Sequence, residues 1–227
     1  MSMPEPSPAS SQRAAPGRPK DPAKRASILD AAQSMFLEHG FEGVSMDQIA
    51  ARAGVSKLTV YSHFGDKEAL FIAAVEHHCR GQLPPGLFTP APGTPLRPRL
   101  VGIARALHAL MVSPEAVAGF RLMCAPKCLD SRLPELFWQA GAGQLQGEFA
   151  ALLARRTAAG DISVEDPARA AAQFFALLRG DLHPRLILGC ADVAGFDVEA
   201  HLEATVDLFL RGLGTGAGAA TNLRPSR

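Results

Sequence analysis

The side chains best suited to chemistry lie together in the window from Ser45 to Lys67, SMDQIAARAGVSKLTVYSHFGDK. Hydroxyl, ammonium, phenol and imidazole groups of this kind bind phosphate oxygens and the edges of nucleic-acid bases. Neither a nucleophile near a base nor a metal-ligand spacing accompanies them, so the window favours binding over catalysis. If its second half is helical, the outward side chains are Lys57, Leu58, Thr59, Tyr61, Ser62 and His63.

Two short helices joined at Gly54 are predicted to position this face. The first begins after Ser45, whose hydroxyl can accept a backbone N–H, and its apolar residues recur at helical intervals. Gly54 ends that helix because glycine adopts positive φ without steric cost, and Ser56 is the next N-cap. This is the layout of a helix-turn-helix, whose second helix enters the major groove of DNA. The inward residues are Met46, Ile49, Ala50, Ala53, Val55, Val60 and Phe64.

The segment GVSKLTVYSHFGDKEALF, residues 54–71, resembles the signature of the TetR family of transcriptional regulators. The resemblance covers about residues 18–80. It implies an all-α protein with an N-terminal helix-turn-helix three-helix domain and a C-terminal helical domain for ligand binding and dimerisation. The segment GFRLMCA…LPELFWQAG, residues 119–141, is similar to the ligand domain of the AefR-like branch. Leu58 departs from the family, which often has glycine or alanine at this position.

Five side chains of the second helix are predicted to contact DNA. Lys57 and Thr59 reach base edges or adjacent phosphates, and Leu58 makes apolar contact with a thymine methyl. The resemblance implies that Tyr61 and His63 bind phosphates. A twofold dimer would place two such helices in successive major grooves, so the expected target is a pseudo-palindromic operator in double-stranded DNA.

Further DNA contacts are predicted from residues that flank the second helix. Ser45 and Lys67 each lie near a helix start, where backbone N–H groups and a side chain can bind phosphate. Residues 1–17 are rich in proline, serine and alanine, and we expect a disordered basic arm. Arg18 and Lys20 would extend from it into the minor groove. A solvated terminus with a chance charge cluster is the alternative.

The whole chain has 227 residues, a hydrophobic share of 47% and a net charge of +1. This composition suits a globular core and argues against binding nucleic acid by bulk attraction alone. We expect a DNA-binding domain at 18–81, an effector-binding and dimerisation domain at 82–213, and a flexible tail at 214–227. Prolines between 82 and 98 predict a connector. Helices are predicted from Asp21 to Gly40, from Asp66 to Arg80 with Gly81 as terminator, and at 98–112, 114–125, 133–159, 166–189 and 197–213, with no sheet.

The C-terminal segment carries enough apolar side chains to enclose a cavity, although helical spacing makes most of them ordinary core. The resemblance implies a small apolar or amphipathic effector and, by default, repression. Effector would bind more tightly to a dimer in which the spacing of the two DNA-binding domains does not match the operator, and operator affinity would then fall. Glycines at 141, 143 and 147 predict a pliable or closely packed helix. The predicted ligand contacts are His108, Met111, Arg121, Met123, Trp138 and Phe174.

The helices near 166–189 and 197–213 have more apolar surface than one amphipathic stripe requires, which predicts a four-helix homodimer interface. The resemblance implies the same pair of helices. Pro184 should kink or interrupt the first of them. The predicted interface residues are Ala170, Phe174, Leu177, Leu178, Leu186 and Ile187, with Val198, Leu202, Thr205, Val206, Phe209 and Leu213.

Two alternatives remain open. Cys124 and Cys128 would share one helix face if Pro126 left the helix intact, and a metal- or thiol-responsive sensor would follow; small buried cysteines are the plainer explanation. A helical enzyme is the least favoured, because no glycine-rich phosphate loop or HExxH motif is present. No cofactor or metal is predicted. With neither a membrane-spanning apolar run nor a secretory signal, we expect a cytoplasmic protein.

Overall fold

The structure is a computed structural model that describes residues 21–89, 95–190 and 195–215. The arm at 1–17, Arg18, Lys20 and most of the predicted tail lie outside these residues. The described part is helical almost throughout, which confirms the all-α prediction. Its helices are α1 Pro22–His39, α2 Met46–Arg52, α3 Lys57–Phe64, α4 Lys67–Gln82, α5 Leu96–Met111, α6 Pro114–Met123, α7 Pro126–Leu129, α8 Leu133–Trp138, a π-helical segment Gln139–Gly143, α9 Gln144–Ala158, α10 Pro167–Arg179, α11 Leu182–Leu188 and α12 Val198–Gly212.

Local hydrogen bonds fix the starts of the first four helices as the sequence predicts. The Asp21 carboxylate accepts the backbone N–H of Ala23 at 2.9 Å, directly before Pro22 in the first turn. Gly54 has φ +66° between α2 and α3, a conformation that costs glycine little. The N-caps at Ser45, Ser56 and Asp66 likewise accept backbone N–H groups through their side chains.

Three helix boundaries differ from the prediction. Gly81 does not end α4, which continues to Gln82. The helix predicted at 133–159 contains the π-helical segment, where two of the glycines lie. The helix predicted at 166–189 is broken between α10 and α11, where Gly180 has φ +48°. The ring of Pro184 would clash with the carbonyl four residues earlier, which is that of Gly180, so the predicted interruption falls there.

Short β pairing was not predicted. Strand β1, Ile162–Ser163, pairs antiparallel with β2, Gly214–Thr215. Two residues are too few to show the alternation that identifies a strand in a sequence. The pairing ties the end of α12 to the turn that follows α9.

The buried apolar residues form two cores whose border does not follow the sequence boundary at 82. The N-terminal core contains the buried residues of α1 to α4, but also Met123, Cys128, Leu133 and Leu136 from α6 to α8. The C-terminal core contains buried residues of α5, α9, α10 and α12, together with Phe88 and Ile162. Helices α6 to α8 therefore pack into the same core as the helix-turn-helix.

The premise of a thiol or metal site on one helix face is wrong. Helix α6 ends at Met123, and Pro126 begins a separate short helix because its ring cannot continue the preceding one. Cys124 is exposed and Cys128 is buried in the N-terminal core. Among the described residues, no group of three or more His, Cys, Asp or Glu side chains could hold a metal ion.

Within the described residues no individual helix has the length and apolar character needed to cross a membrane. The pair α5 and α6 passes that test only jointly, with a bend of 59° between them.

Candidate nucleic-acid interface and adjoining cavity

Helix α3 separates its inward and outward residues clearly. Val60 is fully buried in the N-terminal core, and Phe64 packs against that core. On the opposite face the side chain of Leu58 is 79% exposed and that of Tyr61 is 40% exposed. Their side chains are accessible, so they can contact a partner that approaches this face of α3. The outward face of α3 is therefore open for contact.

An ion pair crosses from α3 to α2. The Lys57 Nζ lies 2.9 Å from Asp47 Oδ2 and 5.8 Å from the centre of the Tyr61 ring. The hydrogen bond to Asp47 and its negative charge raise the pKa of Lys57. Both side chains of the pair are more than half exposed, so a phosphate can compete for the ammonium. Lys57 is charged and accessible on the predicted contact face.

The hydroxyls near the start of α3 are engaged with one another and with the backbone. Thr59 Oγ1 lies 2.8 Å from Ser56 Oγ, which also accepts the Thr59 N–H. Ser62 donates to the Thr59 carbonyl at 2.8 Å. The His63 ring packs against Phe64, with centroids 5.9 Å apart. These contacts engage the smaller polar side chains of α3 and leave Leu58, Lys57 and Tyr61 as its most projecting groups.

Ser45 and Lys67 have structural partners inside the domain. The Ser45 N–H donates to Gln48 Oε1 at 2.8 Å while its hydroxyl accepts the Gln48 N–H, a complete capping box. Lys67 Nζ donates to the carbonyls of Phe41 at 2.9 Å and Val44 at 3.1 Å, and it lies 4.2 Å from the centre of the Phe41 ring. A phosphate contact from the Ser45 N–H would have to replace its bond to Gln48, whereas the Lys67 ammonium has one N–H more than the two that these carbonyls accept.

A cavity of about 110 Å³ lies between the helix-turn-helix domain and the helices that follow it. Its wall combines α1 and α4 with α5, α6, α10, α11 and the π-helical segment. Most of the wall is apolar, which suits a small-molecule site. Phenylalanines at 36, 71, 120, 137 and 175 contribute to it, and the polar lining residues are Gln33, His78, Glu115, Arg179 and His183.

Two of the six predicted ligand contacts, Met111 and Met123, line this cavity. The other four are not part of its lining. His108 is buried behind the wall, with its ring 6.1 Å from that of His201. Arg121 clamps α6 to α11 by donating to the Ile187 carbonyl at 2.9 Å.

The two aromatic residues that were predicted to contact the ligand but do not line the cavity, Phe174 and Trp138, have other contacts. Phe174 is fully buried in the C-terminal core, stacked on Phe149 at 4.7 Å. Trp138 lies at the end of α8, with the guanidinium carbon of Arg179 5.7 Å from its ring centre. Trp138 is not part of the lining, but it contacts Arg179, which is.

Comparison with known proteins agrees with both halves of this architecture. Residues 28–74 match the bacterial regulatory proteins of the tetR family, and residues 98–214 match the C-terminal domain of AefR-like transcriptional repressors. The second match alone covers more than half of the chain. The chain belongs to the TetR family of transcriptional regulators. Members of this family bind DNA and are not enzymes, which confirms two expectations from the sequence.

Individual TetR relatives show how far the similarity extends. The solved structure of the Flavonoid-responsive Regulator FrrA is 32% identical, with a TM-score of 0.65, and the similarity covers 84% of this chain and 97% of FrrA. A TetR regulator from Agrobacterium tumefaciens is 25% identical, with a TM-score of 0.66 and coverage of 86% and 96%. The HTH-type transcriptional activator FasR of Mycolicibacterium smegmatis is 39% identical over 71 residues, 31% of this chain and 32% of FasR. The chain thus spans about a third of the length of the curated relatives it matches.

The last helices bury part of the predicted TetR dimer face inside this chain. Seven of the twelve residues predicted for it are buried in this chain's own cores, because α10 and α12 pack against α5 and α9. The exposed residues of α10 and α12 include four alanines and a leucine among polar side chains such as Arg169, Gln173 and Glu199. Buried within the chain are Ala170, Phe174, Leu178, Leu202, Thr205, Val206 and Phe209, whereas Ala172, Ala176, Ala200, Ala204 and Leu208 are exposed.

Most of the cavity wall was not predicted from the sequence. Gln33 and His78 lie on α1 and α4, which were assigned to DNA binding alone, and Gln33 Nε2 lies 2.9 Å from His78 Nδ1. Arg179 and His183 flank Gly180 in the run RGDLHP. A cation and a histidine four residues apart in an otherwise apolar helical pattern were the available signal.

Proposed function

We propose that this TetR-family protein is a homodimeric repressor that binds a pseudo-palindromic operator and is released by a small apolar or amphipathic effector. It would act on DNA in the cytoplasm. The observation that carries the proposal is the position of the cavity. Its wall includes α1 and α4, which share the N-terminal core with α2 and α3.

Direct DNA contact would come from the outward face of α3. Lys57 would exchange Asp47 for phosphate or a base edge, and Tyr61 and His63 would bind neighbouring phosphates. Leu58 supplies apolar surface for a thymine methyl. Arg18 and Lys20 remain proposed minor-groove contacts. Two copies of α3 would be spaced by a dimer built on α10 and α12, whose exposed alanines permit close helix packing.

Effector release follows from the packing between the cavity and α3. Phe36 and Phe71 line the cavity and contact each other edge to face, with centroids 5.5 Å apart. On the other wall, Gly141 packs on α4, since a Cβ there would lie 3.5 Å from Val75 Cγ1. A molecule in the cavity would therefore displace α1 or α4, and a dimer with altered head spacing would bind operator less well.

Similar proteins support the response to a small molecule. FrrA is described as flavonoid-responsive. The match of residues 98–214 is to AefR-like repressors, although FasR is an activator. Repression is thus the proposed mode. In a reporter whose promoter overlaps the operator, the protein should decrease expression, and an increase would show that it activates.

The proposal is tested by selecting DNA from a random pool with the full-length protein and measuring affinity by fluorescence anisotropy. We expect an inverted repeat and one dimer per site. Leu58→Ala should change the preferred base at one position of each half-site, whereas Arg105→Ala, an exposed change on α5, should leave the selected sequence unaltered. A pool without an enriched repeat would contradict operator recognition.

Release is tested with the compound that copurifies with the protein, identified by mass spectrometry and added back to the operator complex. Operator affinity should fall by the ratio of the effector's affinities for free and DNA-bound protein. Equal effector affinity for the two forms would contradict the mechanism.

A further inference from the structure

The wall of the cavity includes a guanidinium that has no acidic partner among the described residues. Arg179 lines the cavity and its Nε donates to the Phe175 carbonyl in its own helix at 3.3 Å. Within the described residues no carboxylate forms an ion pair with it. Burial lowers the pKa of Arg179. An arginine still carries its charge under these conditions, so the cavity wall has a positive charge that contacts the Trp138 ring and that no carboxylate of the described residues neutralises.

A buried histidine lies beside this charge. His183 is 5% exposed, lines the same cavity, and its Nε2 has no hydrogen-bond partner within the described part of the chain. Its ring packs edge to face on Phe120, with centroids 5.0 Å apart, which fixes its orientation. Burial and, after it, the charge of Arg179 lower the pKa of His183. An unpartnered buried nitrogen is costly unless a ligand or water satisfies it.

The other polar groups of the wall do not compensate Arg179. Glu115 is exposed, and its charge acts on His78 rather than on Arg179. His78 is bonded through Nδ1 to Gln33. The rest of the wall is apolar and rich in phenylalanine, and its volume of about 110 Å³ limits an occupant to roughly one ring or a short chain.

We infer that the effector site takes a small apolar carboxylic acid whose anionic oxygens bind Arg179 and His183, with the hydrocarbon part against the phenylalanine wall. The inference rests on the proposed function, since it names the chemistry of that same site. An arginine presents paired donors that match a carboxylate, and hydrogen bonds to charged groups are the strong ones. The break between α10 and α11 brings both side chains to the cavity from adjacent turns.

The test compares two acids with the alcohols of the same shape: phenylacetate with 2-phenylethanol, and octanoate with 1-octanol. Binding is followed by calorimetry and by the fluorescence of Trp138, the single tryptophan, which lies against Arg179. We expect at least one acid to bind about tenfold or more tightly than its alcohol. The aromatic pair and the aliphatic pair distinguish a ring-bearing from a chain-like acid.

Three variants test whether Arg179 causes the preference for the acid over the alcohol. Arg179→Gln should abolish the difference between acid and alcohol, and Arg179→Lys should retain part of it because the charge remains. Arg185→Gln is the matched control, since Arg185 is exposed on α11, lies 3.5 Å from Asp181 and does not line the cavity. Melting temperatures show that each variant is folded.

Equal affinity of acid and alcohol for the unmodified protein would overturn the inference, as would binding of neither acid or an undiminished preference in Arg179→Gln. Operator binding is measured on the same preparations without added compound. If the unmodified protein binds operator but does not prefer the acids, only the acid chemistry is rejected. If the unmodified protein does not bind operator, the proposed function is rejected.

Discussion

Replacing Lys57 by alanine isolates the electrostatic part of operator binding. In the free protein this ammonium lies 2.9 Å from Asp47 on an exposed surface, so its loss should leave the melting temperature unchanged. On DNA, one phosphate contact would be lost from each half of a dimer. Each contact contributes about 0.9 to the slope of log affinity against log salt, so the slope should fall in magnitude by about 1.8.

That change is large enough to measure. Over an approximately fourfold rise in salt concentration, the affinity of Lys57→Ala should fall about 12-fold less than that of the unmodified protein. Fluorescence anisotropy across the salt series provides the slope. Asp47→Asn supplies the reciprocal test, because it frees the ammonium and should strengthen binding, and Arg105→Ala controls for a lost cation elsewhere. An unchanged slope in Lys57→Ala would refute the assignment of Lys57 as a phosphate contact.

Three further predictions concern the folded state. Phe174→Ala should lower the free energy of unfolding by about 3–5 kcal/mol in chemical denaturation, because it empties a fully buried site stacked on Phe149; a loss below about 1 kcal/mol would contradict this packing. Lys67→Met should cost about 1–3 kcal/mol by leaving the Phe41 and Val44 carbonyls without their donor, and a variant of full stability that binds DNA weakly would instead support a phosphate contact. Burial lowers the pKa of His78, His108 and His183, so below about pH 6.5 the unfolded chain binds more protons than the folded chain. The free energy of unfolding should therefore decrease as the pH falls below about 6.5. A melting temperature that is constant from pH 7 to pH 5 would contradict this.

Helix ends were predictable from the sequence because the groups that fix them are adjacent in the chain. A carboxylate or hydroxyl at Asp21, Ser56 or Asp166 accepts a backbone N–H two or three residues later, and proline follows two of these caps. Gly54 needed positive φ for the turn between α2 and α3. The outward face of α3 followed from these ends and from helical periodicity.

The cavity could not be derived in the same way. Its wall joins residues as distant as Gln33 and His183, and helical spacing does not distinguish a buried side chain in a core from one that lines a cavity. Phe174 and Met111 occur in equally apolar patterns, yet only Met111 lines the wall. The dimer face was overestimated for the same reason, because apolar residues such as Val206 satisfy the chain's own core.

The packing of α6 to α8 into the N-terminal core was also beyond the sequence. Leu133 and Leu136 fit any amphipathic helix, and only the tertiary structure shows that they contact the core of the helix-turn-helix. This shared core supports the proposed path from the cavity to α3.

The most direct test of the account is the distance between the two α3 helices of a dimer on its operator. Spin labels at Ala51→Cys, an exposed position on α2 that is not a predicted DNA contact, would report this distance by pulsed electron resonance, with Cys79, Cys124, Cys128 and Cys190 replaced. Two α3 helices in successive major grooves predict a separation of about 35 Å on DNA, with a shift when effector is added. Absence of a defined distance between the labels, or a separation that cannot span one turn of DNA, would contradict the central claim.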